Sequence, residues 1–253
     1  MYKRQPSKLA DPELKAVHPL GKSPAITITA PALKEPLAIA ESAVIFEYLC
    51  DHFAQHLVPK RYRDGLEGKV GGETEQWLRY RFYMHYAEGS LMSLLMIAMF
   101  MDSTFPPVPP PIPQIRCQKA KASHPPREAQ ITHIFKPPDI RNSPVPFFIK
   151  PVTRGIADKV DSFYLLDNYA THFSFLESQL ASSPDNGQYL CGAEVTAADI
   201  MMTFPLMAAK SKLDAGKYPK LIAYIERLEK EPGYVGSVKK IEEVSGMPFK
   251  TIP

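Results

Sequence analysis

Forty consecutive residues, 104–143, hold ten of the chain's 26 prolines, among them Pro106-Pro107 and Pro109-Pro110-Pro111. Proline has no backbone N–H, and its ring clashes with the preceding helical turn. No sustained apolar period runs through the stretch, so it cannot form a packed helix. It reads as a disordered or loosely extended insertion, longer than compact domains usually carry. A Pro-rich ligand for a partner domain is an alternative. So is an intron read through as coding sequence, because the helical pattern resumes so cleanly near Pro146-Phe147-Phe148.

Long helical patterns flank this stretch. From Glu73 to Met101 the spacing predicts one helix with two apolar stripes. Trp77, Tyr80, Met84, Ala87, Leu91, Leu94, Ala98 and Met101 form the first. Leu78, Phe82, His85, Met92, Met96 and Met99 form the second, interrupted by Gly89. Two such stripes imply a helix covered around most of its circumference, with Trp77 and the methionines in the core. A second long helix fits Thr153 to Ser182, and shorter ones fit 197–211, 219–230 and about 234–244. At the head of the first of these, Thr196 and Asp199 have the spacing of a capping box, with Val195 and Ile200 as its hydrophobic staple.

Residues 1–58 are of mixed character. Tyr2-Lys3-Arg4 reads as the tail of a strand and Pro12–Val17 as a helical turn. Ala25–Thr29 and Glu35–Ile39 read as a hairpin. Residues 42–55 follow as a helix, with Val44, Ile45, Tyr48, Leu49, His52 and Phe53 on one face. Two blocks here carry chemistry. In Lys22-Ser23-Pro24 the proline is a candidate for a cis bond. That geometry would free the Ser23 backbone to pair with an extended peptide, with Lys22 beside it for a carboxylate. Glu41-Ser42 stands where a strand gives way to a helix. Free N–H groups and the dipole there suit a carboxylate, and Glu41 suits an amino group.

Composition excludes several classes. Thirty basic against 27 acidic residues, a net charge of +3, give no argument for nucleic acid or an anionic membrane. The longest nearly apolar run, Leu91–Met101, is too short to span a bilayer. Cys50, Cys117 and Cys191 are odd in number and far apart, which fits a reducing, cytoplasmic setting rather than a disulfide framework. His52 and His56 have metal-ligand spacing but no third ligand, so no metal site is expected. Cys50 reads as an inert buried thiol.

The block His18-Pro19-Leu20-Gly21-Lys22-Ser23-Pro24 and the block from Glu41 to Leu49 resemble the glutathione-holding edge of a glutathione transferase, of the fungal cytosolic type. Their order, the 17 residues from Pro24 to Glu41 and the hairpin between them carry the likeness. Leu190-Cys191-Gly192-Ala193-Glu194-Val195-Thr196-Ala197-Ala198-Asp199-Ile200 looks like that family's buried helix start, which gives Thr196 and Asp199 a structural role. The resemblance covers the chain outside 104–143. It implies an α+β protein. Residues 1–58 would be a truncated thioredoxin-like domain, and residues 59–253 an all-α C-terminal domain interrupted at 104–143.

The resemblance also implies roles. Lys22 would meet the glycine carboxylate of glutathione, with His18 as a further contact there. Ser23, before cis-Pro24, would pair with the cysteinyl unit, and Glu41 and Ser42 would hold the γ-glutamyl end. Tyr80 and Tyr83 would line the pocket of a hydrophobic co-substrate, on a helix that also faces a second subunit. Glutathione would be a co-substrate, with no other cofactor. The reaction would conjugate its thiolate to small hydrophobic electrophiles, a detoxifying activity of a cytoplasmic homodimer. The strand and helix that carry the family's thiol-activating Tyr, Ser or Cys would precede Met1, so no catalytic residue is named. Two other readings stay open: a non-catalytic binder of glutathione or of a protein, and the inactive product of a faulty gene model.

Overall fold

The structure, a computed structural model, describes residues 12–104 and 164–249. The expected strand tail at Tyr2-Lys3-Arg4, the Pro-rich stretch after Thr104 and the first part of the helix expected from Thr153 lie outside the described residues. The chain divides into two compact units, residues 1–95 with 170–253, and residues 96–169.

The first unit opens with α1 (Leu14–Val17), β1 (Ala25–Ile28), β2 (Leu37–Ala40) and α2 (Ser42–Phe53). The two strands pair antiparallel, Ala25 opposite Ala40 and Ile28 opposite Leu37. A sheet of two four-residue strands is too narrow to cover a helix of three turns. Accordingly, of the face expected to be apolar on α2, only Ile45 is buried, together with Cys50, while Val44, Leu49 and Phe53 are exposed by 47%, 37% and 77%. The Cys50 thiol is buried, and burial pushes its pKa up.

The expected helix from Glu73 is broken into three pieces. Helix α3 (Glu75–Tyr86) passes into a π-helical segment (Ala87–Met92) and then α4 (Ser93–Thr104). Thr74 caps α3 by accepting from the Trp77 N–H. In the π segment, which begins just before the stripe's weak point at Gly89, the Ser93 hydroxyl donates to the Gly89 carbonyl at 2.8 Å. Wide turns leave carbonyls poorly paired, and a nearby hydroxyl compensates. On α3 the first stripe is the buried one. The second stays uncovered, with Leu78 54% and Phe82 46% exposed. Trp77 is half-buried, not core. The Arg61 and Arg81 guanidinium groups sit 4.6 and 5.8 Å from its ring centroid, a cation–π arrangement that needs an open ring face.

Helices α5 (Leu166–Ala181), α6 (Ala197–Ala209), α7 (Pro219–Leu228) and α8 (Pro232–Ser245) complete the described elements. Their ends agree closely with the last three helices read from the sequence. Helix α6 runs through the centre of the first unit and packs against α2, α3 and α7. Tyr83, Met84, Leu91, Phe173, Leu176, Met202, Leu206, Leu221 and Ile225 close the core around it. Of the second unit, the described residues are the end of α4 and the start of α5, where the Asn168 side chain donates to the Tyr164 carbonyl at 2.6 Å.

Candidate functional site

The register of the hairpin decides whether the two sequence blocks can act together. Ala25 faces Ala40. The residue before one and the residue after the other therefore leave the hairpin at the same end. Opposed Cα atoms of an antiparallel pair are about 5 Å apart. Pro24 and Glu41 are thus neighbours, although 17 residues separate them in the chain. The Ser23–Pro24 peptide is cis. Lys22, Ser23, Pro24 and Glu41 are exposed, and Ser42 is partly so.

Local structure holds both blocks in place. Gly21 has φ +58°, and a Cβ there would lie 2.7 Å from Lys15 Cγ, so α1 and the turn close together only over a glycine. His18 ends α1. Its carbonyl accepts from the Gly21 N–H at 2.8 Å, and its Nδ1 accepts from the Leu20 N–H at 3.4 Å. The structure therefore gives His18 a turn-building role beside Lys22. On the other bank Glu41 has φ 74° and ψ 122°, a backbone that L-residues avoid. Its carbonyl accepts the first helical bond, from the Ile45 N–H at 3.0 Å. The N–H groups of Ser42, Ala43 and Val44 then have no partner within the helix. Strain of this kind collects at ligand clamps. Among the described residues neither Lys22 nor Glu41 forms an ion pair, so one cation and one anion stand free on opposite banks.

Sequence reasoning missed the strained backbone of Glu41, because a glutamate carries no mark of positive φ. A strand running directly into a helix, with no turn residue between Ala40 and Ser42, is the signal that could have found it.

Tyr80 and Tyr83 are 3% and 0% exposed, and burial raises both phenols. Any contact with a co-substrate needs the packing around them to open. The Tyr83 hydroxyl is buried without a hydrogen-bond partner. The Tyr86 hydroxyl, beside them, is hydrogen-bonded with His172 Nδ1 at 2.6 Å.

The Thr196–Asp199 capping box is present. Asp199 is wholly buried and accepts from the Thr196 N–H, the Thr196 hydroxyl, the Leu190 N–H and the Tyr224 hydroxyl at 2.6–3.1 Å. Burial pushes its carboxyl up, against the pull of those four donors. Tyr224 was not foreseen, since it lies 25 residues downstream and no local spacing marks it. Among the described residues no group of three potential ligands could hold a metal ion. No described helix is long and apolar enough to cross a membrane.

The described residues join a small antiparallel sheet, with a cis-proline turn and a strained helix start at one of its ends, to a mostly helical remainder. The profile of the glutathione S-transferase C-terminal domain matches residues 138–234. Glutathione S-transferase 1 of Saccharomyces cerevisiae is 28% identical over 242 residues, 94% of this chain and 82% of that protein. Among solved structures, Ure2p5 from Phanerochaete chrysosporium, cocrystallised with 1-(S-glutathionyl)-2,4-dinitrobenzene, superposes with a TM-score of 0.55 at 14% identity, covering 94% of this chain and 83% of that one. A glutathione S-transferase from Actinobacillus pleuropneumoniae gives 0.51 at 19%, covering 94% and 78%. This chain is thus similar to glutathione S-transferases over most of its length, with the profile match confined to its C-terminal part.

Proposed function

We propose that the groove between residues 22–24 and 41–42 binds glutathione and presents its thiolate to hydrophobic electrophiles. The observation that supports this most is the pairing of Ala25 with Ala40, which joins the two blocks at one end of the hairpin. In this reading the Ser23 backbone pairs with the cysteinyl unit as an added strand would. Lys22, with His18 next to it, meets the glycine carboxylate. The α2 tip and the Ser42 hydroxyl hold the γ-glutamyl carboxylate, and Glu41 holds its ammonium group. The thiolate sulfur forms a bond to an electrophilic carbon, and either a leaving group departs or a proton is added. Tyr80 and Tyr83 take part on the electrophile side only where their cover opens.

The same reading places the protein in the cytoplasm, where thiols stay reduced, as a detoxifying homodimer. The uncovered stripe Leu78–Phe82 supports a dimer face. Phe82 also stands 5.7 Å from Phe175, ring to ring, which widens that stripe.

Calorimetry with reduced glutathione tests binding, and the release of chloride from 1-chloro-2,4-dinitrobenzene in its presence tests transfer. Saturable binding that Ser42→Ala weakens by about tenfold supports the site. Saturable binding with no chloride release favours the non-catalytic reading. No binding at millimolar glutathione contradicts both.

A further inference from the structure

The turn between α5 and α6 carries Asn186-Gly187, and Asn186 alone among the chain's asparagines precedes a glycine. That order of residues has its own chemistry. The Gly187 nitrogen can close a five-membered ring on the Asn186 side-chain carbonyl, because glycine puts no side chain in the way. Asn186 is exposed. Both Asp185 and Asn186 hold a positive φ, 55° and 53°, in a region that L-residues enter only at a cost.

The fold restrains this turn. The Gly187 N–H donates to the Pro184 carbonyl at 3.0 Å, so its nitrogen is engaged while the turn is closed. Gln76 of α3 donates to Asp185 Oδ2 at 2.8 Å, and Arg227 of α7 donates to the Gln188 carbonyl at 2.7 Å. Closure also needs room that only glycine leaves. A Cβ on Gly187 would lie 2.0 Å from the Gly192 carbonyl carbon. Just beyond, the chain enters the core. The Tyr189 N–H donates to the Gly192 carbonyl at 3.0 Å, the Ser183 hydroxyl to the Tyr189 carbonyl at 2.6 Å, and the Leu190 N–H to the buried Asp199 at 3.1 Å.

We propose that Asn186-Gly187 is a covalent modification site, held unreactive by the closed turn and set off when the turn opens. The Gly187 nitrogen gives its proton to a solvent base and forms a bond to Asn186 Cγ. The bond from Cγ to the side-chain nitrogen breaks, and ammonia leaves. Water then opens the ring at either carbonyl, leaving aspartate or isoaspartate at position 186. Isoaspartate lengthens the main chain by one methylene, beside a contact that does not admit even a Cβ. The turn then no longer closes over Gly192, and the neighbouring ties to Asp199 loosen. A passing opening thus becomes a lasting mark at the head of α6. The inference does not depend on glutathione binding.

Peptide mapping by mass spectrometry of the full chain, aged in mildly alkaline buffer, follows the replacement of the side-chain amide by a carboxyl at position 186. The unaltered chain should react at least about tenfold faster in unfolding urea than when folded, since the folded reaction waits on local opening. Gln76→Ala, which frees Asp185, should speed the folded reaction several-fold and leave the rate in urea unchanged. The isoaspartate fraction, separated from unreacted chain, should melt at a lower temperature, and Asn186→Gln should remove that fraction from aged samples. The inference is overturned by equal rates in the folded and unfolded chain, or by an unchanged folded rate in Gln76→Ala. An isoaspartate fraction that melts together with the unreacted chain would overturn it too, by showing that the turn recloses over the longer backbone.

Discussion

The helical part of the first unit and its hairpin part are built to different standards. Around α6 the core includes Leu206, Leu221, Ile225, Tyr83 and Phe173, all closed to solvent or nearly so. Between residues 12 and 58 the buried apolar side chains are Leu14, Ile45 and Cys50. Yet the proposed glutathione site sits in the second region. Helix α2 reconciles the two. It packs on both strands and on α6, and its Glu47 pairs with Arg81 of α3 at 2.6 Å. The proposed groove thus borrows rigidity from α3 and α6 through α2. Binding sites on thinly packed segments need such an anchor, because local opening is easiest where few apolar contacts resist it.

Mutation can break this contrast at several points. Asp199→Ala should have the largest effect, at least about 3 kcal/mol in urea titration, because it strands the Tyr224 hydroxyl and two backbone donors in the core. A cost near 1 kcal/mol would mean that the helix cap acts alone. Next, Leu206→Ala should cost about 2–5 kcal/mol while Ile39→Ala in the partly exposed hairpin costs about 1. Equal costs would erase the distinction between the two regions. Arg81→Met should cost under about 1 kcal/mol, as a half-exposed ion pair does, yet should speed hydrogen exchange in α2. Unchanged exchange would show that α6 holds α2 unaided.

The smallest effect concerns pH. Burial lowers the pKa of His172 from its ordinary 6.5. The unfolded chain then binds a proton more readily than the folded one. Stability contributed by the neutral ring is complete above about 6.5 and is lost as pH falls through the folded value. Melting temperature should drop modestly from pH 8 to pH 5.5, and His172→Gln should flatten that drop. An unchanged profile in the variant would assign the slope to other groups.

Much of this was legible in the sequence, for physical reasons that differ by element. The capping box could be read because its partners are three residues apart, so local geometry alone brings Thr196 and Asp199 together. The meeting of the two blocks at one end of the hairpin was legible because a hairpin carries its own register. The uncovered face of α2 was not, since periodicity reports which residues share a face and not what lies opposite. Trp77 misled for a related reason. A tryptophan on an apolar stripe looks like core until Arg61, sixteen residues earlier, is seen against its ring. Tyr80 and Tyr83 show the converse, because spacing cannot tell a pocket wall from the packing behind it.

The central claim is that the segments 22–24 and 41–42, at one end of the hairpin, form one clamp for glutathione. Backbone amide spectra of the nitrogen-15-labelled protein, recorded while reduced glutathione is added, test it most directly. The account predicts concerted, saturable shifts at Ser23, Ser42 and Ala43, with one dissociation constant. Shifts confined to α6 and α8, or separate constants for the two banks, would contradict it.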